Sequence, residues 1–310
     1  MYPVSAFDLL RQRGASGCCL SLGDRLLDAT CGGGIFTNSI TEISGEAGAG
    51  KTQFCLVLSL RCQLDRSLGG LGGSAVYLCC GEGQFPDRRF VQLADAFAVK
   101  YQGISCSRPL SQRDFLNNVH VLTVQHTEHA LEVLGKSVPE LCQRERIRLL
   151  ILDSMAGMAR TEFDSSQRDD MKKRTTALFS LAAKLKWLAD TFNLCIVVVN
   201  QVTATGFDTA LSSCGTNFSS NAHDSKPALG LVWSTCVNTR IMLRRGRGVS
   251  SQNLHVEENE PPSENLVNAD QSVTKKRTFH LEVCPYKAPA ACTYKICSDG
   301  ITGISMIWTP

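Results

Sequence analysis

The sequence predicts an α/β protein with a mostly parallel central sheet and helices on both faces. Short apolar segments recur between residues 40 and 202, and segments with helical periodicity separate them. A strand that is apolar along its whole length is buried on both faces, which is typical of a parallel sheet covered by crossover helices. A glycine-rich turn between the first such strand and the first helix completes the pattern.

The core is predicted to contain five apolar strands with helices between them. The strands are expected at residues 40–44, 75–80, 119–124, 149–153 and 195–200. The helices are expected at about 51–64, at 128–141, and beyond a polar loop that follows residue 153. One face of this last helix should be buried, because apolar residues recur at steps of three and four: Leu178, Leu181, Leu185, Leu188 and Phe192.

The pattern changes after residue 202, and this sets the expected domain organisation. We predict an N-terminal linker at 1–39 and a single core domain at 40–310. The predicted features of the last third are a long loop at 203–226 and short antiparallel strands near 228–245, 278–284 and 293–297. Residues 249–277 are predicted to be a disordered insertion, because residues 250–270 hold five acidic residues, a Pro pair and no Lys or Arg.

The composition is that of an ordinary globular protein, since 43% of the 310 residues are hydrophobic and 20% are charged. Disordered, collagen-like and coiled-coil structures are excluded for the whole chain. The net charge is +3, from 32 basic and 29 acidic residues, so charge alone does not indicate a nucleic-acid partner. No apolar run approaches the roughly 18 residues of a membrane span, and we expect no signal peptide or transmembrane segment.

The 15 cysteines are the unusual feature of the composition. No pair stands at C-x-x-C spacing and no histidine follows at zinc-finger spacing, which disfavours a structural zinc site. Many lie in predicted strands or helices, among them Cys55, Cys62, Cys79, Cys80 and Cys195. We therefore expect free thiols that pack in the core, in a reducing compartment, and structural or surface roles for the six histidines.

The sharpest motif is GEAGAGKT, which matches G-x-x-x-x-G-K-[ST] between a predicted strand and a predicted helix. The expected cofactor-binding residues are Gly45, Glu46, Ala47, Gly48, Ala49, Gly50, Lys51 and Thr52. Gly48 and Gly50 allow backbone N–H groups to turn towards phosphate oxygens at the positive end of the following helix. Lys51 is expected to bind the β- and γ-phosphates of a nucleotide, and Thr52 to bind Mg²⁺.

Polar residues at the ends of three other strands are expected at the same edge of the sheet. Asp153 ends an apolar strand and is predicted to bind the Mg²⁺ ion through water. Glu82 is the candidate catalytic base for the attacking water, the alternative being a solvated loop residue. The amides of Asn200 and Gln201 should face the same cleft, where Gln201 is a catalytic candidate that contacts the γ-phosphate or water. The alternative is a simple strand-end hydrogen bond.

Several segments together resemble the RecA-type recombinase family over almost the entire chain. They include EGQFPDRRF, LLILDSMAGMARTEFD, LADTFNLCIVVVNQVT, KPALGLVWSTCVNTRIMLRRGRG and YKICSDGITGI, which occur in the order of that family. Within the family the chain resembles the eukaryotic recombinase paralogues, and RTEFDSSQRDDMKKRTTALF resembles their plant forms in particular. The resemblance implies a RecA-like P-loop ATPase core.

The resemblance also implies a function: an ATP-binding nuclear subunit of homologous-recombination repair of DNA double-strand breaks and crosslinks. It implies weak, DNA-dependent ATP hydrolysis that needs a partner subunit, because the family seats ATP between protomers, with a cap from near residues 284–285. The implied partners are another recombinase paralogue, of the C type, and the main recombinase. Single-stranded DNA is implied as a ligand shared with the partner, and no membrane is expected.

Two DNA-facing loops are implied by the resemblance, at about 157–172 and 203–227. The DNA-facing candidates are Arg160, Arg168, Lys172, Arg244, Arg245 and Arg247. Residues 160–174 hold five basic and four acidic residues and residues 203–227 have a net charge of −1, so these loops neutralise little phosphate charge. The last three arginines, with Arg240, form a more basic cluster, the alternative being solvated charge on an edge strand.

Three departures from the family affect this interpretation. Gly81 stands where the family has its acidic residue, so the role of Glu82 depends on a one-residue insertion. The 44 residues before Gly45 leave no room for the helical DNA-binding domain of full recombinases, and residues 3–6 keep only the Ala of the polymerising strand. Self-assembly into filaments is thus disfavoured. The alternatives are an autonomous strand-exchange recombinase, a non-catalytic module stabilised by ATP, and a P-loop kinase or transporter ATPase.

Overall fold

The computed structural model describes residues 18–104, 110–162, 168–204, 225–246 and 277–307. Several sequence-based predictions fall outside these residues. They concern residues 3–6, residues 205–224 of the long loop, the insertion as far as residue 276, and Arg247.

The described residues form an alternation of strands and helices. The strands are β1 (Cys19–Leu20), β2 (Ile35–Phe36), β3 (Ser39–Gly45), β4 (Ser74–Cys80), β5 (Val119–Val124), β6 (Ile147–Asp153), β7 (Cys195–Ala204), β8 (Ser225–Pro227), β9 (Thr239–Arg245), β10 (Arg277–Val283), β11 (Ala290–Cys297) and β12 (Gly300–Ile307). The helices are α1 (Arg25–Cys31), α2 (Lys51–Arg61), α3 (Asp87–Tyr101), α4 (Gln112–Asn117), α5 (Thr127–Gly135), α6 (Ser137–Arg144), α7 (Met155–Glu162), α8 (Arg168–Phe192) and α9 (Gly230–Ser234).

One large sheet organises the fold, with the strand order β12-β11-β10-β9-β3-β7-β6-β4-β5. The strands from β9 to β5 along this order run parallel. The strands β9, β10, β11 and β12 pair antiparallel at one side. The predicted α/β class, with a mostly parallel sheet and antiparallel C-terminal strands, is therefore confirmed.

Two apolar cores lie on the two faces of this sheet, because successive strand residues point to opposite faces. In β4, Tyr77 packs in the core around α2, and Leu78 packs in the core around α8. Four residues of the predicted apolar face of α8 are buried: Leu178, Leu181, Leu185 and Leu188. The helical periodicity of that segment correctly identified its buried face.

Residues 18–36 belong to the core, although the sequence predicted a linker as far as residue 39. Leu20, Leu27 and Ile35 are buried in the same core as α2. The helix α1 packs against β11 and β12. These elements are too short for a clear periodic signal, since β1 and β2 have two residues each. The linker prediction therefore does not hold for the described part of that segment.

Two helical segments differ from prediction. The helix predicted at 128–141 is two helices, α5 and α6, which meet at Lys136. Pro139 lies in the first turn of α6, where its missing N–H leaves no helical bond unmade. The polar loop predicted after residue 153 is mostly the helix α7, so the first implied DNA-facing loop includes helical residues on both sides of residues 163–167.

The thirteen cysteines in the described residues are free, and eight of them are buried. Burial raises the pKa of Cys31 to about 12, and burial raises the pKa of Cys79 and of Cys142 to about 11. These thiols are therefore protonated near neutral pH and pack as small apolar side chains. In the same residues, no helix is both long and apolar enough to cross a membrane.

Candidate nucleotide-binding site

The glycine-rich loop connects the end of β3 to the start of α2, as the motif predicts. Gly50 precedes the helix with φ of 109°, in the left-handed region that favours glycine. A Cβ atom there would lie 2.8 Å from the Ile296 side chain. No side chain in the described residues caps α2, so its first amide groups remain available to an anion. The loop is therefore a cradle for phosphate.

Lys51 places a positive charge over this loop. Its Nζ donates to the carbonyl oxygens of Gly45 at 2.7 Å and of Glu46 at 2.8 Å. Burial lowers the pKa of Lys51, while the nearby Asp153 carboxylate acts in the opposite direction. The ammonium is thus pre-positioned beside the amide groups that would bind the phosphates.

Thr52 and Asp153 meet although they are distant in sequence. The Thr52 hydroxyl donates to Oδ2 of Asp153 at 2.8 Å. The hydroxyl of Tyr77, on the adjacent strand β4, donates to the same oxygen at 2.6 Å. A hydroxyl and a carboxylate oxygen are the hard ligands that Mg²⁺ prefers, so this donor set fits the ion beside a bound triphosphate.

An open cleft of about 730 Å³ lies over this cluster. It is lined by Thr52, Asp153, Glu82 and Gln201, so the predicted Mg²⁺ ligands and both predicted catalytic residues share one cleft. Glu82 is exposed and Gln201 half-buried. Four further polar side chains line the cleft that were not predicted from the sequence, those of Tyr77, Gln84, Gln125 and Ser154. Of these, Gln125 had a readable signal, because it directly follows the strand β5.

Asn200 does not face the cleft, contrary to the prediction that both amides of the β7 end do so. Its side chain is buried, and Nδ2 donates to Oε1 of Glu42. Neighbouring residues of a strand point to opposite faces of the sheet, so Asn200 and Gln201 cannot share one cleft. The alternative, a structural hydrogen bond, therefore accounts for Asn200, although the bond lies within β7 and not at its end.

The predicted DNA-facing residues are described only in part. Arg244 lies 3.9 Å from Glu282, Arg245 lies 3.2 Å from Glu46 of the glycine-rich loop, and Lys172 lies 3.4 Å from Asp169. Arg160 and Arg168 belong to α7 and α8, and their side chains are outside the described structure. Each of these three DNA-facing candidates is thus paired with a carboxylate.

Tyr77 supports Asp153, and its hydroxyl provides a test of the Mg²⁺ ligand assignment. We expect Tyr77→Phe to weaken Mg²⁺-dependent ATP binding several-fold, because Asp153 loses one of two donors that orient it, a loss of about 1 kcal/mol. The measurement is a titration of ATP at several Mg²⁺ concentrations. Tyr101→Phe is the matched control, since the Tyr101 hydroxyl accepts from Arg61 and Tyr101 does not line the cleft. Equal affinities of Tyr77→Phe and the unaltered chain would contradict the assignment.

The parallel sheet, the glycine-rich loop and the Thr52–Asp153 pair define a RecA-like P-loop ATPase core. The chain belongs to the Rad51 family, whose family model matches residues 14–269. It is 35% identical to the DNA repair protein XRCC3 homolog of Arabidopsis thaliana, over 95% of this chain and 96% of that protein. It is 31% identical to DNA repair protein XRCC3 of Bos taurus, over 97% of this chain and 80% of that protein.

A further relative matches a smaller part of the chain. DNA repair protein RAD51 of Saccharomyces cerevisiae is 31% identical, over 74% of this chain and 52% of that protein. Proteins of the Rad51 and RecA type bind ATP with magnesium and are of the ATPase type. The family comparison confirms the resemblance inferred from the sequence.

Proposed function

We propose that the chain is an ATP-binding Rad51-family paralogue that acts in homologous-recombination repair of double-strand breaks and crosslinks. It would be a nuclear subunit of a complex with another paralogue, of the C type, which assists the main recombinase on single-stranded DNA. The observation that carries the proposal is the convergence of Lys51, Thr52 and Asp153 at one phosphate cradle. The likeness to repair proteins over nearly the whole chain supports the pathway.

The residues of the cleft have distinct proposed roles. Lys51 and the loop amides bind the phosphates, and Thr52 and Asp153 hold the Mg²⁺ ion, which neutralises phosphate charge when bound. Glu82 accepts a proton from the attacking water, and Gln201 orients that water or the γ-phosphate. Glu82 is exposed and no side chain among the described residues holds it in place, which supports slow hydrolysis that a neighbouring subunit improves.

The partner and DNA dependence are tested by purifying the chain from its source with its bound protein. We expect the complex to contain a second Rad51-family chain and to hydrolyse ATP faster with single-stranded DNA than without it. The isolated chain should hydrolyse ATP more slowly than the complex. DNA-stimulated turnover and concentration-dependent filaments formed by the isolated chain would instead support an autonomous recombinase.

Glu82→Gln separates catalysis from binding. We expect ATP turnover by the complex to fall by roughly 10²-fold or more, because an amide cannot accept the proton. ATP affinity should change by less than about threefold, since the phosphate cradle is intact. The measurements are steady-state hydrolysis and equilibrium ATP binding, with Glu128→Gln, at an exposed position of α5, as the control. Unchanged turnover of Glu82→Gln would favour a non-catalytic module stabilised by ATP.

A further inference from the structure

A buried polar network lies on the sheet face opposite the cleft side chain of Gln201. Its centre is Glu42 of β3, whose side chain is 0% exposed. One carboxylate oxygen accepts from Nε of Arg240 on β9 at 2.7 Å. The other accepts from the Asn200 amide on β7. The single carboxylate therefore joins three adjacent strands of the sheet.

All three strands lead to the nucleotide site. β3 leads directly into the glycine-rich loop at Gly45, and Gly45 is aligned with Gln201 of β7. β9 ends at Arg245, which pairs with Glu46 of the same loop at 3.2 Å. The network thus precedes Gly45 on β3, Gln201 on β7 and Arg245 on β9. At these residues the three strands reach the glycine-rich loop or the cleft.

The network is not arranged for maximal stability. Three buried atoms in or beside it have no hydrogen-bond partner among the described residues: Oδ1 of Asn200, Nη2 of Arg240 and Oγ of Ser44. A buried ion pair with incomplete hydrogen bonding is often no more stable than apolar side chains of similar volume. A role in fixing geometry accounts better for its location just before the nucleotide site, where Glu42 precedes Gly45 on β3 and Asn200 precedes Gln201 on β7.

We propose that Asn200, held by the Glu42–Arg240 ion pair, is a positioning residue for Gln201. The hydrogen bond to Glu42 fixes the Asn200 side chain on the buried face of the sheet. It thereby fixes the backbone from which the side chain of Gln201, the next residue, enters the cleft. The backbone of Gln201 is also fixed by a hydrogen bond of its own, because the Gln201 carbonyl accepts from the Ala228 N–H at 2.8 Å. This inference rests on the proposed function, since Gln201 acts only when ATP occupies the cleft.

The test compares Asn200→Leu, Gln201→Ala and the double variant in the full chain with its partner. Leucine keeps the branching and the number of side-chain heavy atoms of asparagine but cannot donate to Glu42. We expect Asn200→Leu to lower kcat for ATP about tenfold while KM changes less than twofold, the effect of misplacing one hydrogen-bonding group. Adding Asn200→Leu to Gln201→Ala should lower kcat no further, because both act through one side chain.

Hydrogen exchange gives a readout that is independent of turnover. ATP with Mg²⁺ should slow exchange in peptides from residues 195–204 of the unaltered chain, and Asn200→Leu should remove most of this protection. Val198→Ala is the matched control, because Val198 is buried on β7 in register with Glu42 but makes no polar contact. It should lower the thermal unfolding temperature and leave the ATP-dependent protection intact.

The possible failures are distinguishable. If Asn200→Leu behaves as Val198→Ala does, or if its effect on kcat adds to that of Gln201→Ala, the positioning role is wrong. If the unaltered complex binds no ATP, the proposed function fails, and the inference fails with it because no cleft ligand remains to be positioned.

Discussion

Lys51→Ala is expected to remove most of the affinity for ATP. The substitution deletes the ammonium that lies over the phosphate cradle. In the unaltered chain this ammonium donates to the carbonyl oxygens of Gly45 and Glu46. Loss of one partner of a desolvated charge pair costs about 2–4 kcal/mol, so the dissociation constant should rise roughly 30- to 1000-fold. Equilibrium titration with a fluorescent ATP analogue in the presence of Mg²⁺ measures this change.

Lys186→Ala controls for the loss of a lysine elsewhere. Lys186 is exposed on α8 and lies beside Ser39, at the start of β3, so it is at the opposite edge of the sheet from the cradle. Its removal should leave the ATP dissociation constant within about twofold, since its charge is screened by solvent. Unaltered ATP affinity in Lys51→Ala would mean that the glycine-rich loop does not bind the phosphates.

Among the single charge removals, Arg240→Ala is expected to lower the free energy of unfolding the most. Arg240 is 13% exposed and pairs with Glu42, which is 0% exposed. Removing the arginine leaves a buried carboxylate with the Asn200 amide as its remaining donor. The free energy of unfolding should fall by about 3–5 kcal/mol. Urea denaturation of the purified chain measures it.

Two further variants show whether this loss comes from the unpaired charge. Lys173→Ala removes a lysine that is 70% exposed and pairs with Asp170 at 3.5 Å, and should change the free energy of unfolding by less than about 1 kcal/mol. Replacing both buried partners, Glu42→Leu with Arg240→Met, should restore much of the stability lost in Arg240→Ala, because no buried charge remains. A double variant less stable than Arg240→Ala would refute the explanation.

The parts of the fold that the sequence predicts well carry local signals. The strands β4, β5 and β7 are short apolar runs. Their predicted starts and ends differ from the observed ones by at most four residues. The glycine-rich loop and Asp153 are readable because phosphate and Mg²⁺ binding require particular residue types at strand ends. Local spacing is sufficient for such features.

The supporting contacts depend on the register between distant segments. In the sequence, Tyr77 resembles the apolar residues around it in the strand. Its hydrogen bond to Asp153 follows only from the strand register, in which Cys79 of β4 is aligned with Asp153 of β6. Glu42 could have been noticed as a carboxylate within an apolar strand, which signals a buried partner. Its partner Arg240 stands 198 residues further along the chain, and only the parallel pairing of β3 with β9 identifies it.

Repair by living cells tests the central claim most directly. Source cells that lack the gene are given the unaltered chain, Lys51→Ala or Lys186→Ala, and their survival after treatment with a DNA crosslinking agent is measured. The unaltered chain and Lys186→Ala should restore survival, and Lys51→Ala, expressed at the same level, should not. Full survival with Lys51→Ala, or full survival of cells without the gene, would contradict an ATP-dependent role in recombination repair.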